Sequence, residues 1–216
     1  LTSYRAAGGE HYGAVIGIGL VDLGARLPQY PTLRALIAAG ALFAFLLFSK
    51  MGAAATSGSV ATLSYLGQSG LPLGMSRNNP GNIVRGVNYQ GEVFQDNGRF
   101  AQFQSWAYGI RAMIVLLRKY ITSGSSYPNP CVTTPQNTVR LIITQWAPPS
   151  NCGGDNTPTA VQNYINYVTN RTGFNQNQIL KADQNTLRKL VMAMSYFEQG
   201  RDCVTAEQFN YAYTLA

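Results

Sequence analysis

Four stretches of the chain place apolar residues three and four positions apart, the spacing of a helix with one buried face. Ser105 is placed to cap a helix that carries Trp106, Ile110, Met113, Ile114 and Leu117. Thr134 with Pro135 predicts a second helix, running through Val139, Ile142 and Ile143 to Trp146, where Pro148-Pro149 ends it. A third starts after Thr157-Pro158 and carries Val161, Tyr164, Ile165 and Val168 up to Gly173. A fourth begins near Asp183, carries Leu187, Leu190, Val191, Met194 and Phe197, and stops at Gly200. A short helix is expected from Thr205 onward. Ahead of these, residues 78–104 are rich in Asn and Gly and alternate over short runs. That pattern predicts a β-hairpin or small sheet turning at Asp96-Asn97-Gly98. Helices around a small β element make residues 75–216 an α+β domain, mostly helical.

The N-terminal third follows a different pattern. Between Arg34 and Lys50 lie fifteen uncharged residues, and the apolar stretch from Leu33 to Ala55 reaches twenty-three. About 20 are needed to cross a bilayer, and the flanking Arg34 and Lys50 can snorkel to head groups. Residues 33–55 are therefore predicted to be a transmembrane helix; a buried core helix is the alternative. Ala53-Ala54-Ala55 resembles a signal-peptide cleavage site but sits far from the start of the chain. Upstream, residues 12–25 are apolar and glycine-rich but interrupted by Asp22, a poor spanning helix. An interfacial or re-entrant segment, or packing against another subunit, is expected there. Residues 56–74, small and polar, read as a linker. The expected organisation is a glycine-rich segment over 1–32, the membrane helix over 33–55, the linker over 56–74 and the globular domain over 75–216. The chain opens on Leu rather than Met, so an N-terminal piece is expected either to have been removed or to lie outside this sequence.

Composition narrows the partners. Hydrophobic residues make up 46% of the 216, too many for a disordered chain, and charged residues only 12%. The net charge of +7 implies an anionic partner: nucleic acid, membrane head groups or cell-wall polymer. The basic residues are scattered rather than clustered, so a specific nucleic-acid partner is ranked low. No CxxC or HxxxH spacing offers a metal site, and no phosphate loop or dinucleotide fingerprint offers a cofactor site. His11 has no partner nearby in sequence. Cys131 and Cys152 bracket the predicted second helix. A bridge between them would stabilise by roughly 3 kcal/mol and place the domain outside the reducing cytosol, leaving Cys203 unpaired. Three free thiols are the alternative.

Several short motifs then occur in order: Arg77-Asn78-Asn79-Pro80-Gly81-Asn82-Ile83, Tyr89-Gln90-Gly91-Glu92, Arg99-Phe100-Ala101-Gln102-Phe103, Gly109-Ile110-Arg111-Ala112 and Trp146-Ala147-Pro148-Pro149. Residues 77 to about 200 resemble small phage and prophage virion proteins, structural or lysozyme-like and peptidoglycan-degrading, with an RNNPGNI opening and a WAPP centre. A looser similarity is to flagellar-type glucosaminidases. Residues 1–74 match neither. The resemblance implies a lysozyme-like domain that acts on glycan strands. After Trp-Ala-Pro-Pro that family continues Glu-Asn-Asp-Thr, whereas this chain reads Ser150-Asn151-Cys152-Gly153-Gly154-Asp155-Asn156-Thr157. Asp155 stands where the glutamate would be.

Cleaving a glycosidic bond needs a carboxylic acid near the leaving oxygen. Hydrolases add a second carboxylate, whereas lytic transglycosylases use the sugar's own hydroxyl as nucleophile. The domain offers seven carboxylates. Glu198 stands out at the end of an apolar helix, where burial can raise a carboxyl pKa and the helix dipole disfavours an anion. Glu92, in the hairpin region, is the candidate second carboxylate. Asn79, Asn82, Tyr89, Trp146 and Asp155 are candidate substrate-binding residues, by amide hydrogen bonding or sugar stacking; bracing a turn or filling the core is the competing role for each. The expected function is a membrane-anchored, virion-associated enzyme degrading peptidoglycan, a lytic transglycosylase or glycoside hydrolase that aids phage genome entry. The alternative is a catalytically inactive lysozyme-like structural protein of a membrane-containing virion. Expected partners are peptidoglycan strands, a lipid membrane and other virion proteins, with no cofactor or metal.

Overall fold

The computed structural model describes residues 2–6, 9–16, 19–22, 60–94 and 98–216. The chain divides into two units, Leu1–Thr56 and Ser57–Ala216. In the first, β1 (Thr2–Ala6), β2 (Gly9–Ile16) and β3 (Gly19–Asp22) form an antiparallel sheet in that order. Thr2 pairs with Gly13 across β1 and β2, and Ile16 pairs with Gly19 across β2 and β3. The stretch expected to be interfacial or re-entrant is thus largely strand. Val15, Ile16 and Val21, β-branched residues that favour strands, lie in the paired segments β2 and β3.

The expected transmembrane helix is corrected here. Among the described residues no helix is long and apolar enough to cross a membrane, and segment 33–55 lies outside them. Among the described residues the longest helix is α1 (Trp106–Thr122), of 17 residues, with Arg111, Arg118 and Lys119 outside its buried face. Its apolar side is spent on the core.

In the second unit, β4 (Glu92–Val93) pairs antiparallel with β5 (Gln102–Phe103), Glu92 opposite Phe103, and a bridge joins Val84 to Phe100. The expected turn at Asp96-Asn97-Gly98 falls largely outside the described residues. Helices α2 (Val139–Trp146), α3 (Pro158–Thr172), α4 (Gln184–Gln199) and α5 (Ala206–Thr214) follow α1. Their caps are local chemistry. Thr157 accepts from Ala160 N, Asp183 from Thr186 N, and Thr205 forms a capping box with Gln208.

α2 departs from the sequence expectation, starting four residues later than Pro135 with Thr138 as its cap. Thr134-Pro135 is a cis peptide bond in the preceding loop. Tertiary hydrogen bonds hold that loop: Gln136 N donates to Tyr120 O (2.9 Å) and Gln136 Oε1 accepts from Ser125 N (2.7 Å). A disulfide joins Cys131 to Cys152, and Cys203 is a buried thiol whose pKa burial pushes up to about 11.

α1 runs through the core, packed against α4 and α5, while α3 packs on α4 and α2. Trp106, Phe103, Ile110, Met113, Ile142 and Leu187 are fully buried, each worth about 1.5–3 kcal/mol in apolar transfer. Leu63, Tyr65 and Leu71, within the stretch read as a linker, pack against this core, the Tyr65 ring standing edge-on to Trp106 at 5.1 Å.

Candidate active-site cleft

A cleft of about 580 Å³ opens between the 81–85 segment, the loop after α2 and the end of α4. Glu198 lies in it, on the last turn of α4, just before Gly200 ends the helix in the left-handed region (φ 69°). Both carboxylate oxygens are held. Tyr164 OH donates to Oε1 at 3.0 Å and Asn82 Nδ2 to Oε2 at 2.9 Å. Burial raises the Glu198 pKa, opposed by hydrogen bonds from Asn82, Tyr164 and Trp146. Burial, then the Glu198 charge, also holds Tyr164 well above the ordinary phenol value, so its hydroxyl stays protonated and donating. Its ring stacks on Phe197 at 3.8 Å.

The Asn-rich run explains how Asn82 arrives there. Asn78 and Asn82 adopt left-handed backbone, φ 52° and 48°, which Asn tolerates better than most residues. Asn78 is fully buried, donating to Phe103 O and Ser64 Oγ and accepting from Tyr65 N. Asn79, also fully buried, donates to Ile83 O and Ala101 O and accepts from Ile83 N. These two build the turn, and only Asn82 of the three lines the cleft. Gln199 Nε2 donates to Pro80 O at 3.0 Å, bolting the same turn to the end of α4.

The structure gathers Glu198, Asn82, Tyr89, Trp146 and Asp155 into the cleft lining and leaves Asn79 and Glu92 out of it. Glu92 serves its own hairpin. Its Oε2 accepts from Tyr89 N at 3.1 Å, its Oε1 lies 4.0 Å from Arg85 Nε, and its side chain is 3% exposed. Asp155 is exposed and paired with Arg99 at 2.9 Å. Among the described residues, Glu198 and Asp155 are the carboxylates that line the cleft. Tyr89 packs near Phe103, and burial raises its pKa. Trp146 stands edge-on to Tyr120 at 6.4 Å. No group of three or more His, Cys, Asp or Glu suited to a metal occurs among the described residues.

Tyr164 reaches the site although no motif marks it, and Arg99 reaches it from a motif in which it was not singled out as a site residue. One signal for Tyr164 was available: a hydroxyl on a helix face otherwise made of Val161, Ile165 and Val168 must find a buried partner. Chemically, the arrangement presents one carboxyl with a raised pKa, two donors fixing its oxygens, and aromatic and amide walls suited to a sugar.

No protein-family model matches the chain. It is 30% identical over 142 residues to Protein P5 of Pseudoalteromonas phage PM2, a span covering 63% of this chain and 77% of that protein.

Proposed function

The chain belongs to the family of Protein P5 of Pseudoalteromonas phage PM2, and from that premise we propose a virion-associated enzyme that cleaves peptidoglycan strands as a lytic transglycosylase. The observation that carries this reading is the carboxyl of Glu198, raised in pKa and held by Tyr164 and Asn82 in a cleft whose other carboxylate among the described residues, Asp155, is ion-paired. A hydrolase of the two-carboxylate type needs a partner at about 5–10 Å to act as nucleophile or to activate water. Glu92 faces away into its hairpin, and Asp155 is committed to Arg99.

A single carboxyl suffices when the sugar supplies its own nucleophile. Protonated Glu198 gives its proton to the glycosidic oxygen as the C1–O bond breaks. The resulting carboxylate then takes the proton of the C6 hydroxyl as that oxygen bonds to C1. Glu198 ends protonated, no water is consumed, and an anhydro sugar is left. Tyr164 and Asn82 stabilise the carboxylate between the two steps, and burial, by raising the pKa, favours the protonated form that donates. Tyr89 and Trp146 offer faces to sugar rings, and Asn82 an amide. Other virion proteins are the expected structural partners. The Cys131–Cys152 bridge suits action outside a reducing cytosol.

The test is digestion of purified peptidoglycan by the full chain and by Glu198→Gln, with mass spectrometry of the products. Anhydro products from the wild type, absent with Glu198→Gln, are expected. Reducing-end products would point to a hydrolase. A folded wild type that releases nothing would favour a structural virion protein with an inactive lysozyme-like body.

A further inference from the structure

A second cavity of about 340 Å³ adjoins the cleft, built by the loop that precedes α2. The two share four wall residues, Tyr127, Pro128, Asn129 and Gln145. Its own walls add Ser125, Pro130, Val132, Thr134 and Gln136, and no lining residue carries a charge. The cleft next door, by contrast, is lined by Arg85, Arg99, Asp155 and Glu198. Hydroxyls, amides and proline faces without a charge suit an uncharged polar ring better than a phosphate or a carboxylate.

Three features hold this cavity in fixed relation to the cleft. The Cys131–Cys152 disulfide ties its loop to the cleft wall that carries Gly153 to Asn156. Asn129 Nδ2 donates to Thr144 O at 3.0 Å, anchoring the loop on α2. Gln145, only 8% exposed, sits in the shared wall. Its Nε2 donates to Tyr127 O (3.3 Å) and Ser125 Oγ (3.1 Å), and its Oε1 has no hydrogen-bond partner. A carbonyl can accept only from the amide nitrogen, so the Tyr127 contact fixes which end of the amide is which. An orphaned acceptor in a buried side chain costs about 1–3 kcal/mol, a cost carried at the wall the two cavities share. Tyr127, 56% exposed, offers its ring at the junction.

We propose that the Ser125–Gln136 cavity is an additional subsite for one uncharged N-acetylated sugar unit, so that cleft and cavity together hold a longer glycan than the cleft alone. This subsite rests on the glycan-cleaving reading above. The volume lies at the small end of the roughly 300–1,000 Å³ range of ligand sites, suited to a single ring.

The experiment uses the full chain carrying Glu198→Gln, titrated calorimetrically with β-1,4-linked N-acetylglucosamine oligomers from the disaccharide to the hexasaccharide. In that background Val132→Trp fills the cavity, and Pro130→Trp does so from an exposed position outside the cleft lining. The longer oligomers are expected to bind about tenfold more tightly than the shorter, the worth of one well-seated ring. Both tryptophan variants should abolish that gain while leaving short-oligomer affinity intact, which also shows that they fold. No gain with length, or a gain that survives both variants, overturns the subsite and leaves the cleft reading standing. Absence of binding at every length overturns both.

Discussion

Gly109 sits in the first turn of α1, a position where helix propensity alone favours alanine by about 1 kcal/mol. The tertiary structure reverses that sign. A Cβ at Gly109 would lie 1.8 Å from Asn78 O, 2.8 Å from Pro80 Cδ and 2.9 Å from Asn78 C. Real Cβ contacts essentially never fall under 3.0 Å, so the carbonyl would have to retreat by about 1.2 Å, the difference from 1.8 Å. The obstacle is backbone, and Asn78 is anchored by hydrogen bonds to Tyr65 N, Ser64 Oγ and Phe103 O. Overpacking costs about 1–3 kcal/mol, and each strained buried hydrogen bond puts about 1 kcal/mol more at risk. After the propensity gain, Gly109→Ala should lose about 2–3 kcal/mol, a fall in Tm of roughly 4–12 °C for a unit of this size. Thermal unfolding of the full chain followed by circular dichroism measures it. An unchanged or raised Tm would falsify the claim that the 78–82 turn is seated rigidly on α1. The turn that carries Asn82 to Glu198 would then be free to adjust.

Other predictions follow from the site. The raised pKa of Glu198 means that the native state binds its proton more tightly than the unfolded chain. Stability should therefore fall as pH rises from the ordinary glutamate value of 4.5 through the raised one, and the burial cost persists above it. Glu198→Gln should accordingly be more stable than wild type at neutral pH, with the difference fading toward pH 4; denaturant midpoints across pH that show a constant or opposite difference would refute this. Tyr164→Phe and Asn82→Ala each remove a hydrogen bond that lowers the Glu198 pKa, so the alkaline limb of peptidoglycan cleavage should move to higher pH. A limb that stays in place in both variants would mean that these donors do not tune the carboxyl. Replacing Cys131 and Cys152 together by Ser removes a crosslink across a separation of 21 residues, worth about 3 kcal/mol. Its Tm should fall by roughly 6–12 °C, and an equal Tm would show that the loop needs no crosslink.

The helices were legible because their signals are short-range. The caps at Thr157, Asp183 and Thr205 lie within three residues of the amides they satisfy, and the buried faces repeat every three or four residues. α2 was misplaced at its start because Gln136 is claimed by Tyr120 O and Ser125 N, partners at least eleven residues away. Apolarity also misled. Over residues 12–25 it signals burial without naming the element, and glycine with β-branched residues there forms strands. For 33–55 the membrane reading rested on hydropathy alone.

The same division runs through the site. Sequence alone marked Glu198 as an anion at the wrong end of an apolar helix dipole, and marked the Asn-Pro-Gly-Asn run as a turn. It could not separate Glu198 from Glu92. Which way a glutamate faces on a two-residue strand depends on Arg85 and Tyr89 around it, and the structure turns it into the hairpin. Nor could it separate Asn79 from Asn82, three positions apart, one spent on Ile83 and Ala101 and the other aimed at the carboxyl. The contacts that make Glu198 a candidate acid span 116 residues to Asn82 and 34 to Tyr164. Caps and helical faces are decided within a turn of the chain and are written in local order. A carboxyl's pKa and partners are set by whatever packing brings within about 3 Å, and only the folded chain determines that.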